Sequence, residues 1–335
     1  MERPRGRRTP YLNMSTYAMH MQKEGGNVAE ADYQLMLKAT WYYYMENYTQ
    51  QQISQLMGVS RAKVIRLLDE ARASGVIRFL FREDDQRRME VERGLIERFS
   101  LEDAFVVPTP AHAADLTNSI ARAASIYVAD HLRADGFLNI GYGDMTGLIL
   151  DNLAASRRSD INVASLTGGV SYYLPKVSSE VFAMHLYLTP SPLILSSAEL
   201  REALLNEPAI QDVYRMTSHA DMTVVGIGSM DEDATIIRNG ILSKTDFALL
   251  KMQGAVGDVL NHFIDAEGEP LATSIEDRIV STSLDKLQQM RNVIGAAGGL
   301  VKVPAMYAVL KHGYLNILVT DEQTARALLD YSPQS

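Results

Sequence analysis

The sequence predicts an α/β protein, with a small helix-turn-helix head followed by a larger body built on a mainly parallel β-sheet. Three observations predict this class. Between residues 48 and 75, a short apolar helix pattern, a glycine turn and a basic helix pattern follow one another. Beyond residue 100, short runs rich in Val, Ile and Leu alternate with helical patterns, as in parallel sheets covered on both faces. The length of 335 residues suits two domains of roughly 150 residues each.

The composition excludes several classes of protein. Hydrophobic residues make up 47% of the chain and charged residues 22%, which excludes a disordered chain, a collagen-like fibre and a coiled-coil rod. The absence of cysteine excludes disulfides, thiolate metal sites and cysteine nucleophiles. No apolar run reaches the roughly 18 residues of a membrane span, and the basic N-terminus lacks the apolar stretch of a secretory signal. We therefore expect a soluble cytoplasmic protein.

The charge is unevenly distributed. Residues 1–82 carry 12 Lys and Arg against 7 Asp and Glu, so their net charge is +5 while the rest of the chain carries −14. A basic head on an acidic body indicates that only the head meets a polyanion such as DNA. A disordered basic tail is an alternative explanation, because four arginines stand in the first eight residues.

The elements of the head follow in order. Residues 1–30 lack sustained periodicity and are expected to form a mobile basic arm. A helix-turn-helix domain is predicted over residues 31–83: its first helix runs from about Ala31 to Tyr48, and the extended run Val76–Phe81 could begin a wing. The charged helical pattern over residues 84–100 is predicted to link the domains or to pair with a second subunit.

The body, residues 101–335, shows six apolar runs that we interpret as strands and four main helical patterns between them. The predicted strands are Ala104–Val107, Phe137–Tyr142, Ile161–Leu166, Met222–Ile227, Val293–Ala297 and Leu315–Thr320. The predicted helices are Leu116–Leu132, Met145–Leu153, Ser283–Met290 and Ala305–His312.

The helix-turn-helix pattern is defined by its caps. Thr49 is a good N-cap, and Gln52 three residues later completes a capping box. Gly58 suits the left-handed end of the first short helix, Ser60 caps the second, and Gly75 follows its end.

This arrangement exposes the basic N-terminal half of the second helix, where a recognition helix meets base edges and phosphates. An ordinary helical hairpin with solvated charges explains the apolar spacing equally well. The residues predicted to bind DNA are Ser60, Arg61, Lys63 and Arg66.

The head resembles that of SorC-type transcriptional regulators, the sugar-binding relatives of DeoR proteins. The run from Trp41 to Ile77, WYYYMENYTQQQISQLMGVSRAKVIRLLDEARASGVI, has the family's aromatic-rich first helix, Thr-Gln opening, Gly-x-Ser-Arg turn and basic recognition helix. The resemblance implies a regulator that binds double-stranded operator DNA as a dimer or tetramer, and it adds Thr49 and Gln50 to the candidate DNA contacts.

Three glycine clusters stand where predicted strands end, over residues 141–147, 166–169 and 297–302. Ligands of open parallel sheets bind at the carboxyl ends of strands, where small residues let backbone N–H groups approach. Lys302 can add a charge-assisted hydrogen bond to an anion. The three clusters together therefore predict a ligand pocket, although glycines also simply end strands.

The body resembles the SorC effector domain, which is similar to ribose-phosphate isomerase and glucosamine-phosphate deaminase folds. Gly226-Ile-Gly228, Gly254–Asp258, Ala297–Lys302 and Leu318–Ala325 match its motifs in order and spacing. The resemblance implies a Rossmann-like body in which Asp258 accepts hydrogen bonds from sugar hydroxyls and Lys302 holds an anionic end. No cofactor and no metal are expected. The other candidate effector residues are Gly143, Asp144, Thr146, Gly168, Gly169, Arg238, Gly298 and Gly299.

One position departs from the family pattern. Members commonly have Thr or Ser within two residues of an aromatic-Gly pair, whereas this chain has Asp144 and Met145 there, with Thr146 one step later. The resemblance implies a sugar or sugar-phosphate effector. A carboxylate repels phosphate but accepts well from hydroxyls, so this departure also makes an unphosphorylated sugar or a polyol a candidate effector. Alternatively, Asp144 only caps the following helix.

Two other functions stay open at this point. The body could be a sugar-phosphate isomerase-like enzyme with Asp144 and Asp258 acting on substrate, although no histidine stands in an evident catalytic pattern. The chain could also be a DNA-binding scaffold whose body only oligomerises. The regulator, not an enzyme, is the function that the motifs favour.

Overall fold

The computed structural model describes residues 28–77, 82–156, 161–169 and 184–333. Most of the predicted basic arm and most of the run Val76–Phe81, the candidate wing, lie outside these residues. Contacts within the chain divide it into two compact units, Met1–Phe81 and Arg82–Ser335.

The described part of the first unit, residues 28–77, is a three-helix head. Its helices are α1 (Val28–Tyr44), α2 (Gln50–Met57) and α3 (Arg61–Ala73). The first helix ends four residues earlier than predicted, and three residues beyond its end Asn47 takes a left-handed backbone conformation with φ of 56°. Apolar residues at helical spacing on all three helices form one core: Met36, Ala39, Ile53, Val64, Leu67, Leu68 and Ala71.

The predicted caps of the head are confirmed. The Thr49 hydroxyl accepts from the Gln52 N–H at 3.3 Å, and the Gln52 side chain accepts from the Thr49 N–H at 2.9 Å. Gly58 ends α2 in the left-handed region with φ of 64° and ψ of 29°, and the Ser60 hydroxyl accepts from the Lys63 N–H at 3.2 Å. These local bonds fix the turn that orients α3.

Replacing Gly58 by alanine is expected to destabilise the head by about 1–2 kcal/mol, because a Cβ disfavours the left-handed region. A Cβ at this position would meet no atom within 4 Å, so the cost is conformational and not steric. Urea unfolding followed by fluorescence of Trp41, the chain's single tryptophan, measures it. Gly58→Asn is the matched control and should lose less, since asparagine tolerates this conformation. Equal losses would contradict the conformational origin.

The second unit is built on a mainly parallel sheet. Its strands in the described residues are β1 (Asp103–Val107), β2 (Phe137–Ile140), β3 (Asn162–Ser165), β4 (His185–Tyr187), β5 (Met222–Ser229), β6 (Gly257–Val259), β7 (His262–Ile264), β8 (Val293–Ala296) and β9 (Ile317–Asp321). Their order in the sheet is β1-β9-β8-β5-β2-β3-β4. All six predicted strands are present, and each end lies within one or two residues of the prediction. The sequence did not predict β4, nor the antiparallel hairpin β6–β7 that pairs with the end of β5, because each of these strands has only three residues.

Helices cover the sheet, and the four predicted ones are confirmed. Two apolar cores hold the layers together: one includes the inner side of the helices over residues 116–131 and 144–155, the other that of the helices over residues 303–312 and 322–330. None of the helices in the described residues is long and apolar enough to cross a membrane. The α-helices among the described residues of the second unit are α4 (Glu83–Phe99), α5 (Leu116–His131), α6 (Asp144–Ala155), α7 (Ala198–Leu205), α8 (Pro208–Thr217), α9 (Thr235–Arg238), α10 (Lys244–Met252), α11 (Leu284–Gln289), α12 (Val303–His312) and α13 (Glu322–Asp330).

The charged helix α4 packs on the body of its own chain. Val91 and Leu95 are buried in the core beside β1, and the Glu92 carboxylate accepts from the Val106 N–H at 2.8 Å. A Cβ at Gly94 would lie 3.2 Å from the Leu329 side chain, so glycine here allows close approach of α13. The predicted role of this helix in oligomerisation stays a prediction.

Candidate effector site and DNA-binding surface

The order in which the chain adds strands to the sheet reverses between β2 and β5. These two strands are parallel neighbours, and the chain leaves β2 towards β3 on one side and β5 towards β8 on the other. Loops that leave two neighbouring strands in opposite directions open a crevice at their carboxyl ends, which is where open α/β sheets bind ligands. The candidate effector residues that follow β2, β5 and β8 therefore meet at one edge.

Asp144 opens α6 directly after β2. Its carboxylate accepts from the Thr235 hydroxyl at 3.1 Å and forms an ion pair with Arg238, both from the segment that follows β5. The helix is preceded by Gly143, with φ of 142°, and has no side-chain cap. The alternative in which Asp144 only caps this helix is therefore wrong: the carboxylate bridges two loops of the crevice.

Asp258 stands on β6, where the hairpin lies against β5. Its backbone faces Gly228, and a Cβ on Gly228 would overlap the Asp258 carboxylate. Burial raises the pKa of Asp258 to about 6, while Lys302, the Asn261 N–H and His262 act in the opposite direction. The glycine of β5 thus makes the space in which an interior carboxylate sits.

Lys302 ends the short 3-10 turn Leu300–Lys302 that follows β8. Its ammonium donates to the Ile227 carbonyl oxygen at 2.9 Å, which directs the side chain across the end of β5. Burial lowers the pKa of Lys302, and the carboxylates of Asp258, Asp231 and Asp144 oppose this in decreasing order, whereas Arg238 adds to it. Lys302 therefore shares the crevice with three carboxylates and a second cation, so the crevice has five charged groups.

The glycine pair after β3 does not offer its amides to a ligand. Gly168 and Gly169 are buried, and their N–H groups donate to the backbone oxygens of Val280 and Ser191 at 2.8 and 2.7 Å. A Cβ on Gly168 would lie 2.5 Å from the Pro192 carbonyl oxygen. Glycine fits here because the backbone of another segment packs against this position. Both N–H groups are already hydrogen-bonded to backbone oxygens, so the expectation of anion-binding N–H groups here is wrong.

Polar groups of two further candidates are also hydrogen-bonded within the chain. The Thr146 residue is 1% exposed, and its hydroxyl donates to the Gly143 carbonyl oxygen at 2.8 Å. The Gly299 N–H donates to the Thr324 hydroxyl at 2.7 Å, and a Cβ on Gly298 would lie 2.7 Å from a carboxylate oxygen of Asp321. Gly298 and Gly299 are half-buried at the carboxyl end of β8, so of the glycine candidates these and Gly143 stay at the crevice.

The structure adds residues that the sequence did not single out. Asp231 follows β5 by two residues and accepts a hydrogen bond from Ser229. Asn239 donates to the Tyr142 hydroxyl, which joins the loop after β2 to the segment after β5 a second time. The signal available in the sequence was the position of these residues. They are polar residues that follow the apolar runs of β2 and β5, the two strands between which the strand order reverses.

The histidine next to this site is held in place. His262 is 3% exposed, and its Nδ1 lies 2.6 Å from the Glu276 carboxylate and its Nε2 3.0 Å from the Thr282 carbonyl oxygen. Both ring nitrogens are thus engaged within the body. The described part of the chain contains no cluster of three or more metal-ligating side chains.

The head presents a polar surface around the start of α3. Ser60 and Arg61 are exposed, and the Arg61 guanidinium donates to the Gln50 side-chain oxygen at 3.4 Å. The same surface borders a cleft of about 610 Å³ that the sequence did not predict, lined by tyrosines of α1 and the turn after it, Tyr43, Tyr44 and Tyr48, together with Asn47, Thr49, Gln50, Gln51 and Arg61. Gln50 and Arg61 are therefore brought together by the turn.

Lys63 and Arg66 point differently although they are three residues apart. Lys63 is half-buried, and its ammonium lies 3.5 Å from the Asp32 carboxylate of α1. The Arg66 side chain is 65% exposed and lies 3.5 Å from Glu70 on its own helix. Exposed ion pairs contribute about 0–1 kcal/mol, so neither holds its cation away from a phosphate.

Comparison with known families identifies the body. The Sugar-bind family model, which describes a sugar-binding domain, matches residues 84–330. Together with the capped helix-turn-helix head, this match defines the class of protein: a DNA-binding transcriptional regulator that responds to a sugar-type ligand. The chain belongs to the SorC-type family of sugar-binding transcriptional regulators.

Curated relatives and solved structures agree with this assignment. The chain is 33% identical over 320 residues to the transcriptional regulator LsrR of Klebsiella pneumoniae subsp. pneumoniae, an overlap of 94% of this chain and 99% of the relative. It is 35% identical over 296 residues to LsrR of Escherichia coli K12, with 87% and 93% covered. The full-length sorbitol operon regulator SorC of Klebsiella pneumoniae shares the fold, with a TM-score of 0.66 at 23% identity and 88% and 98% covered.

Proposed function

We propose that the chain binds operator DNA through α3 and that a sugar, sugar phosphate or polyol in the crevice at β2 and β5 changes its affinity for that DNA. The observation that carries the proposal is the crevice itself, where loops after β2, β5 and β8 bring three carboxylates and two cations together. Because operator DNA is its partner, we also propose that the protein acts in the cytoplasm.

The charged groups of the crevice suit a ligand with several hydroxyls. Carboxylate oxygens only accept hydrogen bonds, so Asp258 and Asp231 suit sugar hydroxyls as donors. Lys302 donates one N–H to the Ile227 carbonyl oxygen and has further protons for a ligand oxygen. Free and phosphorylated sugars share a polyhydroxyl chain. A substitution of Asp144 is expected to distinguish between these two classes of ligand.

Asp144→Ala is expected to act in opposite directions on the two ligand classes. The variant releases Arg238 from its ion pair, so a phosphorylated sugar gains a cation and acts at lower concentration. A free sugar or polyol loses a hydrogen-bond acceptor and acts at higher concentration. Fluorescence anisotropy of a labelled operator, titrated with free and phosphorylated sugars and polyols, measures both.

Asp130→Ala is the control for this titration, because Asp130 is exposed on α5. It should respond to every ligand as the wild-type protein does. A wild-type response of Asp144→Ala to all ligands that act on the protein would contradict the placement of the effector beside this carboxylate.

We further propose that the ligand is bound without turnover. The relatives are named as transcriptional regulators, and both ring nitrogens of His262 are engaged, which supports this reading. An isomerase-like activity is the second candidate, favoured by the raised pKa of Asp258, since a carboxyl group with a pKa of about 6 suits proton transfer near neutral pH. Incubation with sugar phosphates followed by NMR separates the two, because only the enzyme converts them.

The assembly is expected to be a dimer or a tetramer built from two dimers. One helix-turn-helix reaches too few base pairs for specific binding, so such heads act in pairs on half-sites about one helical turn apart. Light scattering of the full chain, alone and with operator, measures the mass. A monomeric mass under both conditions would contradict this assembly.

A further inference from the structure

A cavity in the body is lined by none of the candidate effector residues. Its volume is about 450 Å³, and its walls come from α7, α8 and the segment that leads into α11. None of the five charged groups of the effector crevice lines it. Its volume lies in the range of roughly 300–1,000 Å³ that small-molecule sites occupy.

The charge of this cavity differs in sign from that of the crevice. Arg201, Arg215 and Lys286 line it, and among the described residues no carboxylate does. The Arg201 Nε donates to the Ile279 carbonyl oxygen at 2.6 Å, which fixes the plane of this guanidinium. Lys286 is exposed and has no ion-pair partner in the described part of the chain. The cavity therefore has three cations, and within the described residues Arg215 alone is paired with a carboxylate, that of Asp212.

Two residues that line the cavity have buried hydroxyls without a hydrogen-bond partner in the described part of the chain. Thr282 is 3% exposed, and neither its Oγ1 nor the Tyr214 hydroxyl has a hydrogen-bond partner among the described residues. Burial raises the pKa of Tyr214 to about 12, so this group stays a hydrogen-bond donor at neutral pH. Buried hydroxyls are normally hydrogen-bonded, and a ligand oxygen would supply the missing acceptor.

We propose that this cavity is a second ligand site, which binds the phosphate group of a small phosphorylated metabolite. A phosphate dianion needs several cations and hydroxyl donors, and the described residues that line the cavity include both and no carboxylate. The inference goes beyond the proposed function, because it assigns a separate site that works whether or not the crevice binds the effector.

Isothermal titration of the full chain with pyrophosphate, at constant ionic strength, tests this site. We expect saturable binding to the wild-type protein and at least tenfold weaker binding to Lys286→Ala. Thr282→Val keeps the shape of its side chain but removes the buried hydroxyl, and it should also weaken binding. Inorganic phosphate should bind more weakly than pyrophosphate at the same site, since it has fewer oxygens to accept hydrogen bonds.

Lys251→Ala is the matched control, because Lys251 is an exposed lysine of α10 outside the cavity. It should bind pyrophosphate as the wild-type protein does. Three results would overturn the proposal: no saturable binding, equal weakening in Lys251→Ala and Lys286→Ala, or binding that is lost in Lys302→Met but kept in Lys286→Ala. The last result would place the anion in the effector crevice instead.

Discussion

Replacing Lys302 by methionine is expected to abolish most of the response to effector while operator affinity stays near that of the wild-type protein. The ammonium is one of two cations among three carboxylates, so its loss removes a charge-assisted hydrogen bond to the ligand. Such a bond contributes about 1.5–3 kcal/mol, which corresponds to a roughly 10- to 150-fold higher effector concentration for half-maximal response. Operator affinity is unaffected because the DNA-contacting candidates lie in the head.

Two further variants test the same crevice without removing a cation. Asp258→Asn keeps the shape of the side chain and removes its charge, and it should weaken the response as well. Gly228→Ala changes no charge, but its Cβ would overlap the Asp258 carboxylate and displace it. All three should lose response in titrations of operator against effector.

Lys251→Met is the control for the lysine variant, because it removes an exposed lysine of α10. Circular dichroism establishes that each variant is folded. A wild-type effector response from both Lys302→Met and Asp258→Asn would contradict the proposed site.

Arg61→Ala and Arg66→Ala are each expected to weaken operator binding by about 1–3 kcal/mol, or roughly 5- to 150-fold, where the arginine contacts a base edge. Both side chains are exposed on α3, and Arg61 stands at its first position beside Gln50. Loss of a phosphate contact would instead weaken binding to all sequences alike and reduce its dependence on salt. Anisotropy titrations with operator and with unrelated DNA, at two salt concentrations, separate these two kinds of contact.

Arg72→Ala is the matched control, since Arg72 lies in the last turn of the same helix and pairs with Asp69. It should bind operator nearly as the wild-type protein does. If Arg61→Ala and Arg66→Ala also bind like the wild-type protein, α3 is not the element that reads DNA.

The local features of this protein were predictable from its sequence. The capping box of Thr49 and Gln52, the left-handed Gly58 and the Ser60 cap all depend on partners within a few residues. The six longer strands were also predictable from local sequence, because a buried strand is visible there as a run of apolar residues. The strands of three residues, β4, β6 and β7, have too few side chains to form a pattern.

The sequence alone therefore determined the helix-turn-helix and the α/β class, which follow from local caps and periodicity, and its resemblance to the motifs of SorC-type regulators indicated the family. Only the tertiary structure decided which candidates form the site. Asp144 meets Arg238 across 94 residues of chain, and Lys302 meets the Ile227 carbonyl oxygen across 75. It also showed that the amides of Gly168 and Gly169 bind backbone oxygens rather than a ligand. The physical reason is that long-range partners depend on how loops pack at the ends of neighbouring strands, and no local pattern of residues records that packing.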